Sequence, residues 1–326
     1  MKQFKMISKS IIALLFILFT SCISNNKPSL DQIKTQYRRK LTSYNSQIDK
    51  PINERIVAAP NFVLDNLNAM DKTTIYKNYE PSEQEKQLFI DYYKLLPEHY
   101  QLGFYEHVVC IYFIENFIGG GMTDFIFDDN GTMYLVLYLN PEVLRLNLQE
   151  WISYRENAAF DDSSNIDIRV TSSDEYKGLL HTLVHEACHM YDYYQNSTPY
   201  IEDIFNKNGR PSSTSFTQDY WNDIYSPKDE YAILKGSNFS GYGLRGKIDK
   251  EIAISLYHRL KSSPFSSLYG ALSWSEDFAE TYTWWYLKEA YGIEYSISIY
   301  KDGQEVMNLI PTNNNVVRSR YSSFKR

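Results

Sequence analysis

The chain has 326 residues, 43% of them apolar and 16% aromatic, enough to bury a sizeable core in one large domain or two small ones. Its net charge is −7, and Lys2, Lys5 and Lys9 all fall in the first 21 residues, so the remainder is more acidic still. Nothing in bulk neutralises phosphates, which argues against a nucleic-acid partner. The 29 Tyr exceed what a core needs. Either they line a surface that meets peptide or glycan, or they reflect a composition biased toward Tyr, Asn, Ile and Lys.

The three lysines precede a short apolar run over residues 11–19, followed by Thr20-Ser21-Cys22. The run is too short to span a bilayer comfortably and reads as a targeting segment. It resembles a bacterial lipoprotein signal. That resemblance implies removal of residues 1–21, lipidation of Cys22, and a soluble part outside the inner membrane, held by its lipid at a membrane, with the outer membrane as the expected one. The other reading is ordinary secretion with cleavage nearby. Residues 22–30 read as a tether and 31–80 as an N-terminal extension, polar and partly helical to residue 58, then loop and turn over 60–80.

At residue 81 the patterning sharpens. Ser82 with Glu85 forms a capping box for a helix through Leu88, Phe89, Tyr92 and Tyr93, and a second short helix runs from Pro97 to about Gly103. Residues 106–114 are β-branched and aromatic and predict a buried strand. Residues 118–122 hold three glycines with no helix and Lys-Ser/Thr after them, so they read as a flexible turn and not a phosphate loop. A short strand over 125–127, a turn at Asp128-Asp129-Asn130-Gly131 and a strand over 133–139 follow. The strand 133–139 is a candidate for pairing with an extended peptide if it lies at a sheet edge, and a core strand otherwise. Residues 142–153 read as helix and Ile166–Val170 as a short strand. Two buried free thiols are expected at Cys110 and Cys188 ahead of a disulfide, which needs strand and helix to meet at one point.

Residues 172–194 then carry His185-Glu186-Ala187-Cys188-His189. Helical spacing stacks His185 and His189 on one face, where two neutral imidazoles supply two corners of a tetrahedral zinc site. Glu186 is one position round the helix, beside the metal and not on it, where a carboxylate serves as general base to water. Ser172 with Glu175 predicts a capping box, and Leu179, Leu180, Leu183, Val184, Ala187 and Cys188 predict burial. The competing reading is a chance pattern on a helix that binds nothing.

Residues 195–246 are rich in Asn, Ser, Pro, Gly and Tyr and read as a long loop, functional or mobile. Residues 247–261 form a helix holding His258. Another helix starts at Ser273, again with a carboxylate three residues on, Glu276. Glu276 and Glu280 share its face, and two like charges there need a reason. A metal supplies one: Glu276 as third ligand, with Glu280 accepting from the outer nitrogen of a ligand histidine. Asp277, His258 and His181 remain competitors for the third position, and a solvated acidic face is the bland alternative. The chain ends with a hairpin, 295–300 and 305–310, and a frayed tail from Asn313.

His185-Glu186-x-x-His189 followed by Glu276-Asp277-Phe278-Ala279-Glu280 resembles the gluzincin metallopeptidases. The resemblance implies a zincin-like α+β fold: a small mixed sheet packed on the His-Glu-x-x-His helix within a catalytic domain over 81–292, a mainly helical C-terminal part, and a hairpin and tail over 293–326. It implies Zn2+ held by His185, His189 and Glu276, Glu186 as general base, Glu280 supporting the ligands, and Tyr269 steadying an oxyanion. The expected partner is a peptide or protein substrate. Two alternatives stay open: a cell-wall amide as substrate, or a non-catalytic surface lipoprotein that binds glycan or protein.

Overall fold

The computed structural model describes residues 30–162, 164–205 and 212–324. The signal segment 1–21, Cys22 and nearly all of the tether lie outside the described residues. The architecture is α+β.

The main sheet has four strands, β1 (Lys77–Tyr79), β2 (Val108–Glu115), β3 (Gly121–Phe127) and β4 (Met133–Leu139), in the order β1-β2-β4-β3. It is mixed: β2 and β4 run parallel, and the other pairs are antiparallel. The strand 133–139 therefore lies between two neighbours, and its backbone groups are used on both sides. The edge beside the motif helix is β3. The sheet's side chains alternate between two apolar layers, as a period of two requires. Ile111, Phe113, Leu135 and Leu137 face the motif helix, while Cys110, Tyr112, Val136 and Tyr138 face a smaller layer built from Tyr44, Val63, Leu67 and Tyr76. Cys110 and Cys188 belong to opposite layers, and both are free and buried.

The smaller layer comes from residues 30–80. Residues 60–80, expected as loop and turn, contain a helix, Asn61–Met70, whose Val63 and Leu67 share one buried face, and then β1. Arg55 is fully buried and spans five carbonyls, among them those of Ile48, Lys50, Tyr105 and Val108, each within 2.7–2.8 Å. That cation ties the segment to the start of β2.

The helix Glu83–Tyr93 carries the reciprocal Ser82–Glu85 capping box. The motif helix runs Gly178–Gln195, six residues later than its predicted start. The Ser172–Glu175 box does not form, because these residues have other partners. Ser172 Oγ donates to Glu294 O, and the carbonyls of Ser173 and Tyr176 accept from the first turn of the helix Leu148–Ala158. The helix begins where Gly178 meets Trp151: a Cβ there would lie 2.6 Å from the Trp151 side chain. Leu179, Leu180, Leu183 and Val184 are fully buried, each contributing about 1.5–3 kcal/mol. That burial offsets the cost of enclosing the polar groups between them.

A second, three-stranded sheet joins β5 (Ile166–Thr171) to the C-terminal hairpin Ser296–Lys301/Gln304–Leu309, which turns at Asp302-Gly303, both at positive φ. The acidic helix, Trp274–Tyr291, packs along the motif helix. The expected frayed tail is instead ordered through residue 324. Asn314 caps a helix, Asn315–Arg320, and Arg320 is buried against Asp277. A buried ion pair at the last turn holds down a terminus whose local sequence carries no such signal.

Candidate metal centre

His185 and His189 project from the motif helix toward Glu276 on the acidic helix. Ring and carboxylate atoms meet in a triangle: His185 Nε2 to Glu276 Oε2 is 3.1 Å, His185 Nε2 to His189 Nε2 is 3.2 Å, and His189 Nε2 to Glu276 Oε2 is 3.4 Å. A tetrahedral zinc with bonds of about 2.0–2.1 Å needs ligand atoms about 3.3 Å apart. Among the described residues these three make the group of metal-type donors close enough to share one ion. The donor chemistry fits zinc, and it admits other divalent metals that accept imidazole and carboxylate.

The protonation of the triangle follows from its neighbours. His185 Nδ1 lies 3.1 Å from Glu280 Oε1 without hydrogen-bond alignment. That carboxylate favours the proton on Nδ1 and turns the Nε2 lone pair toward the triangle. Burial alone would depress His185, but Glu276 and Glu280 outweigh it and push the imidazole up to about 10. Burial would likewise raise Glu276, and the two histidines hold it down to about 2 instead. The two carboxylates therefore favour positive charge at His185.

Glu186 is buried beside the triangle and not part of it. Thr123 Oγ1 donates to its Oε2 at 2.8 Å, and its Oε1 lies over Gly121 of β3, where any Cβ would sit 3.0 Å away. Glycine at 121 is what lets strand and carboxylate approach. Burial raises the Glu186 pKa, and the two imidazoles and Thr123 offset that only in part. A carboxylate poised upward is suited to taking a proton near neutral pH.

The exposed side of β3 is largely occupied. Tyr193 Oη donates to Thr123 O at 3.1 Å, and the Arg39 guanidinium binds Phe125 O and Asp124. By the strand's alternation, Gly121 turns its N–H and C=O the same way as Thr123 and Phe125, next to Glu186.

Under the histidines lies a buried polar group that the sequence reading missed. Arg155, 4% exposed, donates to Glu280 Oε1 at 2.8 Å and to Glu156 Oε1 at 3.1 Å. Tyr257 Oη donates to Glu156 Oε2 at 2.7 Å. Burial would raise Glu280, but Arg155 and then His181 and His185 hold it well below the usual carboxylate range. His181 does not join the triangle. Its Nε2 lies 3.2 Å from Arg155 Nη1 and 3.4 Å from Glu280 Oε1. Burial depresses its pKa to about 4.

The remaining candidates separate cleanly. Asp277 points away from the triangle and binds Arg320 at 2.7 and 2.8 Å. His258 is exposed on the helix Ala253–Leu260. Ser273 caps the acidic helix through Glu276 N at 3.2 Å, but the reciprocal half of the box is missing because the Glu276 carboxylate faces the histidines. Tyr269 flanks the site, its ring centroid 5.9 Å from that of His185. Gly241 lets the ring in: a Cβ there would lie 2.4 Å from Tyr269 Cε2. Burial, with Glu276 beside it, keeps the Tyr269 phenol protonated and able to donate. Cys22 lies outside the described residues.

Compared with known proteins, the chain matches no family model, no curated protein and no solved structure.

Proposed function

We propose that this chain is a zinc-dependent hydrolase, a gluzincin-type metallopeptidase that cuts peptide bonds on a zincin-like scaffold. The observation that carries the reading is the triangle of His185, His189 and Glu276, with edges of 3.1, 3.2 and 3.4 Å, beside the buried Glu186 carboxylate. A purely structural metal site has no use for that fourth group.

His185, His189 and Glu276 would hold the metal, and zinc bound there supplies a Lewis acid that brings the pKa of its water toward neutrality. Glu186 takes the proton from the attacking water at its carboxylate, with Thr123 fixing the orientation. The same carboxylate then passes the proton to the departing amine. Tyr269, as a neutral phenol at the rim, donates a hydrogen bond to the oxygen that gains charge. Glu280, held ionised by Arg155, would keep the His185 Nε2 lone pair available to a metal bound there.

Export as a lipid-anchored protein through Cys22 belongs to the same reading. Among the described residues no helix is long and apolar enough to cross a membrane, which is compatible with such an anchor.

Metal analysis combined with Glu186→Gln tests the proposal. The native protein should carry one zinc per chain and cleave a peptide library. Glu186→Gln should keep the zinc and lose roughly 10²–10⁴-fold in turnover. Undiminished turnover in that variant, or a native chain that folds and takes up no metal, sinks it.

A further inference from the structure

The long segment between the two site helices runs past a cavity beside the triangle. Tyr242 and Leu244 from that segment line the cavity together with Gly119, Thr182, His185 and Glu186. Three observations set residues 237–246 apart from the fold around them.

The first is where the backbone bonds. Ser237 N donates to Leu234 O, Gly243 N to Ser240 O, Leu244 N to Gly241 O and Gly246 N to Gly243 O. The N–H groups of Phe239 and Arg245 go to the hydroxyls of Ser237 and Ser240. Backbone bonding to the body of the fold resumes at Ile248, which donates to Ala159 O at 3.0 Å and accepts from Asp161 N at 2.9 Å. A loop that satisfies these groups locally can leave the surface without stranding them.

The second is how the stretch is held down. Phe239 lies 6.1 Å from Phe160, and Tyr242 lies 5.5 Å from Tyr269, 6.3 Å from Trp151 and 6.4 Å from Tyr154, centroid to centroid. Tyr242 Cε2 comes 3.4 Å from where a Cβ of Gly119 would be. Tyr242 sits at φ 53°, ψ 15°, a left-handed conformation uncommon for a bulky residue. Such strain persists only while the surroundings hold it. Undocking the ring releases it, which brings the docked and undocked states closer in free energy.

The third is the pair of ends. Gly236 and Gly246 are exposed and have φ of 78° and 102°. Neither has a heavy atom within 4 Å of where a Cβ would stand, chain neighbours aside. Each end thus carries a residue free to change φ in open space, as a hinge requires.

We propose that residues 237–246 are a lid: Tyr242 latches it over the cavity beside the triangle, and it swings about Gly236 and Gly246 to admit the peptide. The lid rests on the hydrolase reading. With Tyr242 docked, the loop walls one side of the cavity that holds His185 and Glu186; with Tyr242 released, that wall is gone.

The test combines trypsin nicking of the full chain with peptide cleavage by the zinc-loaded chain. Trypsin should cut the native chain after Arg245 roughly tenfold faster than after Arg169, which is paired within the second sheet. Tyr242→Ala should speed the Arg245 cut roughly tenfold more and leave the Arg169 cut unchanged, whereas Tyr242→Phe, which keeps the packed ring, should stay within about threefold of native. On an unstructured peptide, Tyr242→Ala should raise kcat/KM roughly fivefold, mainly through KM, because the closed state no longer competes with binding. A merely structural contact would not raise it. Unchanged nicking in Tyr242→Ala, or faster nicking with kcat/KM unchanged or lowered, overturns the lid and leaves the hydrolase standing. A native zinc-loaded chain that cuts no peptide overturns the hydrolase reading and the lid's purpose together. If Tyr242→Ala fails to fold, a native chain cut after Arg245 no faster than after Arg169 still overturns the lid.

Discussion

Two buried arginines grip the same acidic helix from opposite sides, and they differ in what they leave undone. Arg320 meets Asp277 on the side away from the site, and Arg155 meets Glu280 under the histidines. Asp277 is completely used: Oδ1 accepts from Arg320 and Thr281, and Oδ2 from Arg320 and Trp221 Nε1. Glu280 has Oε1 crowded by Arg155, His185 and His181 while Oε2 has no partner among the described residues. The closed pair welds the C-terminal helix to the fold. The open pair lines a cavity and lies against His185. Completeness of hydrogen bonding, and not burial or charge, tells the structural carboxylate from the one at the site.

The sharpest way to break that contrast is to exchange neighbours. Glu276→Ala removes one corner of the triangle. It should abolish stoichiometric zinc and lower peptide hydrolysis roughly 10³-fold, in keeping with the several kcal/mol a metal contributes. Asp277→Ala, one residue on, should keep native zinc content and cost about 3–5 kcal/mol of stability by stranding Arg320. Metal analysis after dialysis and urea unfolding read both. An Asp277→Ala protein that loses zinc at unchanged stability would show that the two faces of this helix are not separate.

Much of this was legible from local chemistry. His185, Glu186 and His189 are four residues apart end to end, so the helix alone stacks them, and the Ser82–Glu85 cap and the hairpin turn at Asp302-Gly303 are equally local. The resemblance to gluzincins selected Glu276 over Asp277, and the structure puts Glu276 at the triangle. What was illegible depends on distant partners. Arg155 looks like an ordinary helix residue until Glu280, far along the chain, lies 2.8 Å from it. The tail looked frayed because its anchor, Asp277, is on another helix. The start of the motif helix was misplaced because Ser172 and the carbonyls of Ser173 and Tyr176 bond to other segments, which no capping rule sees. Whether the strand 133–139 lies at an edge or in the core was open, because strand order is not written in strand sequence, and it lies between β2 and β3.

The arginines themselves come next in size. Arg155→Met and Arg320→Met should each cost about 3–5 kcal/mol, since each strands a buried carboxylate. Only Arg155→Met should also weaken zinc binding, by about 10–100-fold, because Glu280 then loses the cation that keeps it ionised beside His185. Competition with a chelator measures this. Equal zinc affinity in the two variants would reduce Arg155 to a second structural clamp.

A third buried acid sharpens the comparison by having no arginine at all. Asp192, 1% exposed, accepts from Thr198 N and Oγ1 just past the end of the motif helix. Burial pushes it up to about 6, and the Thr198 hydrogen bonds offset that only in part. A carboxyl whose folded pKa lies above its unfolded value of about 3.9 holds its proton better when folded. Its contribution is full below pH 4 and is lost as pH rises through 6. Two units correspond to about 3 kcal/mol. The stability difference between Asp192→Asn and the native chain should therefore shift in the variant's favour between pH 4 and 6 and be flat above 7. Glu280, held low, runs the other way: it stabilises above its unfolded value and is lost toward acid. Subtracting the variant from the native curve separates the two.

The smallest expected effect probes how closed the closed pair is. Trp221 Nε1 gives Asp277 Oδ2 one of its two donors, at 2.8 Å, from the long segment between the two site helices. Trp221→Phe removes that donor and keeps most of the ring's packing against Phe265. With Arg320 still on both carboxylate oxygens, the loss should be about 1.5–2 kcal/mol, the lower part of the range for a hydrogen bond to a charged group. Zinc content and cleavage should not change, because Asp277 does not touch the triangle. If Trp221→Phe weakened zinc binding instead, the segment carrying Trp221 would be coupled to the metal through the acidic helix, and the division of that helix into a structural face and a site face would fail at its most conservative test.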